Sequence, residues 1–173
     1  MNLFICEICG DAYIGAECPS DCPFCGARAV FIKPASEAKP IVNEKTEISA
    51  DSRKNLEETL ALELRATAIY QCIAGKSEEY RIVKMYKRLA KIELEHAIVV
   101  TKLLALPMPA IQAEDCSSDE IENFKRTIAL EDHAVALYRG FAAGSPEMRL
   151  KKFFGALVQA EQGHVELIKM FLR

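Results

Sequence analysis

The sequence predicts a mainly α chain: a four-helix bundle behind a small N-terminal metal-binding β module. Three observations predict it. Five of the seven cysteines fall within the first 25 residues. From Asp51 onward, apolar residues recur at helical spacing. The helical part also repeats itself, because residues 55–104 laid over 123–172, a constant offset of 68, agree at 17 of 50 positions without a gap.

Composition narrows the class. With 173 residues, half of them hydrophobic, the chain can bury a real core and still carry a small module. The net charge of -3 is read as having no basic cluster behind it, which argues against nucleic acid or a membrane surface as principal partner. The N-terminus shows no charged leader followed by an apolar segment, and no run of about 18 apolar residues occurs. A soluble, cytoplasmic protein is expected. The odd cysteine count and its crowding at one end favour metal ligation over a disulfide framework.

Residues 1–35 form the expected β module, with short strands at Leu3 to Ile5 and Ala29 to Ile32. Residues 36–50, with mixed charge and no sustained period, read as a linker, and 51–173 as the bundle. The first helix is expected from Asp51 to Ala74, stopped by Gly75. Ser77 is placed as the cap of a second helix that reaches Leu104 and is closed by Pro107. After a loop over 106–118, Ser117 or Ser118 caps a third helix running to Ala143. Gly144, Ser145 and Pro146 then read as a stop, an N-cap and a first helical position, and the fourth helix continues to the end.

The helix faces carry the chemistry. Ile82, Leu89, His96 and Leu103 share one seven-residue line, with Glu93 close beside it, so a glutamate and a histidine occupy the core stripe. An unpaired carboxylate there costs several kcal/mol, roughly, and requires compensation. The repeat supplies it, since Glu63 matches Glu131, Tyr70 matches Tyr138, Glu93 matches Glu161 and His96 matches His164. Leu56, Glu63 and Tyr70 line up on the first helix, Phe124, Glu131 and Tyr138 on the third, and Leu150, Leu157, His164 and Phe171 on the fourth. Four carboxylates and two imidazoles thus converge near mid-bundle. Two divalent cations would neutralise them, and oxygen and nitrogen donors without thiolate suit iron or manganese. Symmetry pairs Glu63 with His96 at one metal and Glu131 with His164 at the other, with Glu93 and Glu161 bridging. The tyrosines are either core residues or hydrogen-bond donors to the metal carboxylates. His133, two residues from Glu131, reads as surface.

At the N-terminus, Cys6-Glu-Ile-Cys9-Gly10 and Cys22-Pro-Phe-Cys25-Gly26 are two knuckles that place four sulfurs around one tetrahedral ion. The spacing leaves zinc and iron both open. Acidic Glu7, Asp11, Glu17 and Asp21 outnumber Arg28 and Lys33 there, which removes support for nucleic-acid binding. Cys18, Cys72 and Cys116 lie outside both knuckles and have no partner motif.

Together, CEICG, CPFCG and the set Glu63, Glu93-x-x-His96, Glu131, Glu161-x-x-His164 resemble the rubrerythrin family, with the rubredoxin-like module first as in its reverse-order members. The resemblance implies a ferritin-like di-iron bundle bound by four Glu and two His, and a mononuclear iron held by Cys6, Cys9, Cys22 and Cys25. It further implies an indirect, NADH-linked peroxidase of oxidative-stress defence. Such an enzyme reduces hydrogen peroxide, or dioxygen, to water with electrons from an upstream reductase or rubredoxin, and Tyr70 and Tyr138 are its candidate catalytic residues. One departure stands out: the position one turn beyond Glu131, where typical members carry another glutamate, is Ala134, and its mate is Ala66. Alternatives are a dioxygen reductase, a ferroxidase or iron-handling protein, and a zinc-ribbon interaction protein. The family commonly places the cysteine centre of one subunit near the di-iron site of another, so a homodimer with electron transfer between subunits is expected. The loop at 105–117 is long enough to lead the second hairpin into a neighbour's bundle.

Overall fold

The structure, a computed structural model, describes residues 1–172. Strands β1 (Asn2–Cys6), β2 (Ala12–Gly15) and β3 (Ile32–Pro34) form an antiparallel sheet in the order β2-β1-β3, with Phe4 opposite both Tyr13 and Pro34. Four helices follow: α1 (Ala50–Lys76), α2 (Tyr80–Leu104), α3 (Glu120–Gly144) and α4 (Met148–Phe171). The fold is a ferritin-like four-helix bundle with a rubredoxin-like module.

Several local expectations are corrected. Ala29–Phe31 is a single 3-10 turn, and the pairing with β1 begins only at Ile32. The 36–50 segment is tied down: Ile41 lies in a second 3-10 turn, Ile41–Asn43, is fully buried, and its N–H donates to the Glu7 carbonyl at 2.9 Å. Gly75 does not stop α1, which continues to Lys76 with Ser77 as its C-cap, and α2 has Glu79 as N-cap. Asp119 caps α3, accepting from the N–H groups of Ile121 and Glu122, while the Ser117 hydroxyl is engaged with Glu122 and the Asp119 N–H. Ser145 closes α3 by bonding back to the Phe141 carbonyl, leaving Glu147 as the N-cap position of α4.

The Glu147 side chain reaches elsewhere, accepting from the Ser49 N–H and the Ser52 hydroxyl, both at 2.6 Å. It thereby ties the start of α4 to the start of α1 with a carboxylate at the positive end of a helix dipole. Cys72 and Cys116, expected to be unpartnered, form a disulfide with Cα atoms 5.9 Å apart. Their spacing of 44 residues has no motif to announce it; the pair meets because the α2–α3 loop packs back on α1, where Lys76 Nζ also bonds the Asp115 carboxylate.

The core lies in two parts. One, toward the β module, joins the cysteine knuckles to Phe153, Phe154, Leu150 and Tyr138. The other, toward the disulfide, gathers Tyr70, Tyr86, Phe124 and Ile73. The acidic residues of the bundle sit among these apolar side chains.

Candidate metal centres

Within the module the four knuckle cysteines converge and are buried. Cys6 Sγ lies 3.7 Å from Cys25 Sγ, and Cys9 Sγ 3.8 Å from Cys22 Sγ. A tetrahedral ion with bonds of about 2.3 Å holds its sulfurs about 3.8 Å apart, so the sulfurs fit a metal directly. Gly10 (φ 85°) and Gly26 (φ 72°) turn the backbone through the left-handed region after each knuckle, where a side chain would be strained. Without a cation the sulfurs share protons: hydrogen bonds from Cys25, Cys6 and Cys9 hold Cys22 far below the ordinary thiol value, and those shared with Cys22 and Cys25 push Cys9 far above it.

The second centre takes one glutamate each from α1 (Glu63) and α3 (Glu131), and a Glu-x-x-His pair each from α2 (Glu93, His96) and α4 (Glu161, His164). All six residues are at most 6% exposed. They form two quartets able to hold an ion, Glu63, Glu93, His96 and Glu161 in one and Glu93, Glu131, Glu161 and His164 in the other. Glu93 and Glu161 belong to both. His96 Nδ1 lies 3.1 Å from Glu93, 3.3 Å from Glu161 and 3.5 Å from Glu63. His164 Nδ1 lies 2.8 Å from Glu161, 3.1 Å from Glu93 and 3.5 Å from Glu131.

The donor set fits metal ions. Glu93 Oε1, both Glu161 oxygens and His164 Nδ1 are buried without a hydrogen-bond partner, and orphaned acceptors in an apolar core need a cation. Electrostatics agree: burial, only partly offset by His96, pushes Glu63 up to about 8, and burial with the Glu93 and Glu161 charges raises Glu131 well above the carboxylate range. Burial would raise Glu161 too, but His164 and His96 outweigh it and hold it low. Burial alone would depress both imidazoles; the surrounding carboxylates outweigh it and raise both well above the usual histidine value.

Both tyrosines reach the site. The Tyr70 hydroxyl on α1 donates to Glu131 Oε1 on α3 at 2.5 Å, and the Tyr138 hydroxyl on α3 donates to Glu63 Oε1 on α1 at 2.6 Å. These reciprocal bonds close the bundle within one chain. His133 is exposed.

The two centres touch. Imidazole Nε2 of His96 donates to the Cys25 carbonyl at 2.8 Å, which commits that nitrogen's proton and aims Nδ1 at the carboxylates, where a metal would take the place of its proton. His164 has no such cover: beside it a cavity of about 310 Å³ opens between α2, α4 and the second cysteine knuckle, lined in part by Cys22, Pro23, Arg28 and Arg88. Sequence reasoning missed this contact, because it depends on how the module docks. It also passed over Glu95, which faces Asp11 and Cys9 and is pushed up to about 7 by burial and the Asp11 charge. The basic run on α2 went unnoticed as well, although its signal was legible: residues 80–92 hold Arg81, Lys84, Lys87, Arg88 and Lys91 and no acid.

No helix among the described residues is long and apolar enough to cross a membrane. No family model and no solved structure matches the chain. It is 29% identical over 113 residues to Reverse rubrerythrin-1 of Clostridium acetobutylicum, a match that covers 60% of this chain and 62% of that relative, somewhat less than two thirds of its length. In sequence and in the order of its parts, four-cysteine module first and Glu/His four-helix bundle second, the chain resembles the reverse rubrerythrins.

Proposed function

We propose that the chain is a non-haem di-iron oxidoreductase that reduces hydrogen peroxide to water, with electrons entering through a mononuclear iron held by Cys6, Cys9, Cys22 and Cys25. Glu63, Glu93, His96, Glu131, Glu161 and His164 would hold the two bundle irons. When ferrous, this pair supplies the two electrons that, with two protons, turn one peroxide into two waters.

The observation that carries the reading is the hydrogen bond from His96 to the Cys25 carbonyl. It joins a ligand-bearing loop of one centre to a candidate ligand of the other, with no solvent between. The chain's own residues then have defined tasks. Glu93 and Glu161, common to both quartets, would serve both ions; Tyr70 and Tyr138 orient Glu131 and Glu63 and are proton-bearing hydroxyls in direct contact with the site's carboxylates. The apolar side chains around them, Leu89, Leu157 and Ile69, keep bulk water out.

The contact between His96 and the Cys25 carbonyl offers an electron route inside one chain, beside the route between subunits expected above. A homodimer would carry two such routes, and exchange of hairpins between subunits would convert each into a route between chains. Mixing decides: chains with Cys6→Ala and Cys9→Ala are combined with chains with Glu63→Ala and Glu131→Ala under exchange conditions. Turnover stays absent if the route is internal, and returns if it crosses subunits. The donor is a reductase or rubredoxin-type protein fed by NADH, in a reducing cytoplasm.

One observation favours dioxygen as the oxidant: Ala134 and Ala66 stand one turn beyond Glu131 and Glu63, leaving the site without a fifth carboxylate. The test is to load the protein with iron anaerobically, reduce it, and mix it with peroxide or air-saturated buffer. Two or three irons per chain and faster oxidation by peroxide are expected. Equal or faster oxidation by oxygen establishes an oxidase, and zinc as the sole bound metal overturns the redox reading.

A further inference from the structure

The basic run on α2 has no task in the chemistry above. Arg81, Lys84, Lys87, Arg88 and Lys91 are all exposed. Five cations within 13 residues, in a chain of net charge -3, make the run a concentrated positive field. Among the described residues, only Arg81 pairs with a carboxylate, Glu79. Lys84, Lys87, Arg88 and Lys91 line a groove of about 410 Å³ together with Ala90 and Leu94. Repulsion within such a stripe works against the folded chain, and among the described residues no carboxylate pairs with Lys84, Lys87, Arg88 or Lys91; Lys84 lies only over the Tyr80 ring, at 5.1 Å.

Position gives the stripe its meaning. Arg88 belongs to two cavities, this groove and the one that reaches Cys22 and His164. Following α2 from Lys84 therefore leads to the second cysteine knuckle, where Pro23 lines the cavity and Phe24 is 36% exposed between two candidate metal ligands. Arg28, held by Asp21 at 2.9 Å, flanks the same cavity. An apolar centre with a charged rim is the anatomy of a specific protein interface. The charge lies along α2, and at Arg88 it meets the cavity that Cys22, a candidate metal ligand, lines.

We infer that the face made by Lys84, Lys87, Arg88, Lys91 and the Pro23–Phe24 tip docks an acidic electron-transfer protein, which delivers single electrons to the four-cysteine centre through the Cys22 knuckle. This rests on the redox reading of the two centres. In each encounter one electron leaves the reduced donor and one ferric centre becomes ferrous. The complementary charge mainly accelerates encounter, so the effect belongs to the association rate and is screened by salt. A polyanion such as single-stranded DNA would satisfy the charge, but would leave the placement beside Cys22 without purpose.

The test uses the full iron-loaded chain, wild type and a variant carrying Lys84→Glu, Lys87→Glu and Lys91→Glu, with a reduced acidic rubredoxin as donor and photogenerated lumiflavin semiquinone, which is neutral and small, as comparison. At about 20 mM salt the variant is expected to accept electrons from rubredoxin at least tenfold more slowly, and the wild-type advantage should shrink toward unity by about 200 mM. Lumiflavin should reduce both equally, and Arg53→Glu with Lys54→Glu, on the first turn of α1, should leave the rubredoxin rate unchanged. Calorimetric titration of oxidised rubredoxin into oxidised protein gives a second readout: binding weakened in the α2 variant and retained in the α1 variant. Equal rubredoxin rates and affinities in wild type and the α2 variant overturn the proposal, as does loss of binding to a single-stranded oligonucleotide with no change toward rubredoxin. If lumiflavin-reduced wild type passes no electrons to peroxide or oxygen, the redox reading fails, while the calorimetry still judges the surface.

Discussion

The two helical hairpins, α1–α2 and α3–α4, agree at their centres and differ at their edges. Inside, the offset of 68 residues relates ligand to ligand and even partner to partner: Tyr70 bonds Glu131 as Tyr138 bonds Glu63. Outside, the same offset pairs residues with unlike lives. Arg81 is exposed beside Glu79, whereas its mate Arg149 is 6% exposed and donates to the Glu44 and Thr46 carbonyls. His96 is covered by the Cys25 carbonyl, whereas His164 faces a cavity. Cys72 is bridged to Cys116, whereas its mate is Gly140. The difference teaches that the metal site imposes two-fold symmetry, and that the docked module and the α2–α3 loop break it.

The largest effects should respect the symmetry. Glu93→Ala and Glu161→Ala, at the positions common to both quartets, should each cost the bundle its metal and its turnover, as read by metal analysis and peroxide consumption. Glu93→Gln keeps volume and one acceptor, so it should leave the bundle folded with little activity. Full metal content and turnover in both alanine variants would refute the assignment.

Next comes the asymmetric staple. Cys72→Ser should lower stability by about 4 kcal/mol, the loop-closure value for a separation of 44 residues, measured by denaturant unfolding. The effect should vanish in protein already reduced, as it would be in a reducing cytoplasm.

A pH effect of similar size separates metal-free from metal-loaded protein. Glu63 is raised to about 8, and Glu131 and both histidines are raised well above their ordinary values, so between pH 6 and 9 the metal-free fold holds protons that the unfolded chain has released. Its stability is therefore greatest on the acid side of that window and falls as pH rises; Glu63 alone accounts for about 2 to 3 kcal/mol of that fall between pH 6 and 8, and the other three groups act in the same direction. Glu93 and Glu161, held low, are ionised throughout and add no slope. Metal replaces those protons, so thermal melts of loaded protein should show no such decline.

Smaller effects probe the edges. Arg149→Ala should cost about 2 kcal/mol by orphaning the Glu44 and Thr46 carbonyls, while Arg81→Ala stays within about 0.5 kcal/mol. Equal losses would mean that the segment before α1 does not hold α4 as described. Glu147→Ala should cost about 1 kcal/mol by freeing the start of α1, and Glu79→Ala less. Burial would raise Glu147, but the Ser49 amide and Ser52 hydroxyl outweigh it and hold it low. That contribution is present above the ordinary carboxylate pKa and is lost as pH falls through the lowered value.

How much of this was legible beforehand follows from the range of the forces involved. Helical periodicity and the internal repeat are local and arithmetic, so four helices, their inward faces and the converging Glu63, Glu93, His96, Glu131, Glu161 and His164 could be read from spacing alone. The knuckles at Cys6, Cys9, Cys22 and Cys25 were equally plain, because tetrahedral ligation leaves a short-range signature. Caps were less so: Glu147 serves a helix that starts 97 residues earlier, and no local pattern records a partner so distant. The basic stripe on α2 stood in the sequence, yet its meaning needed the cavity that leads from Arg88 to Cys22. The meeting of Cys72 with Cys116, of Arg149 with the segment before α1, and of His96 with the Cys25 carbonyl depended on packing between segments 44, 105 and 71 residues apart. Periodicity places a residue on a face of its own element; which distant backbone comes to rest against that face is set by the burial of the whole core.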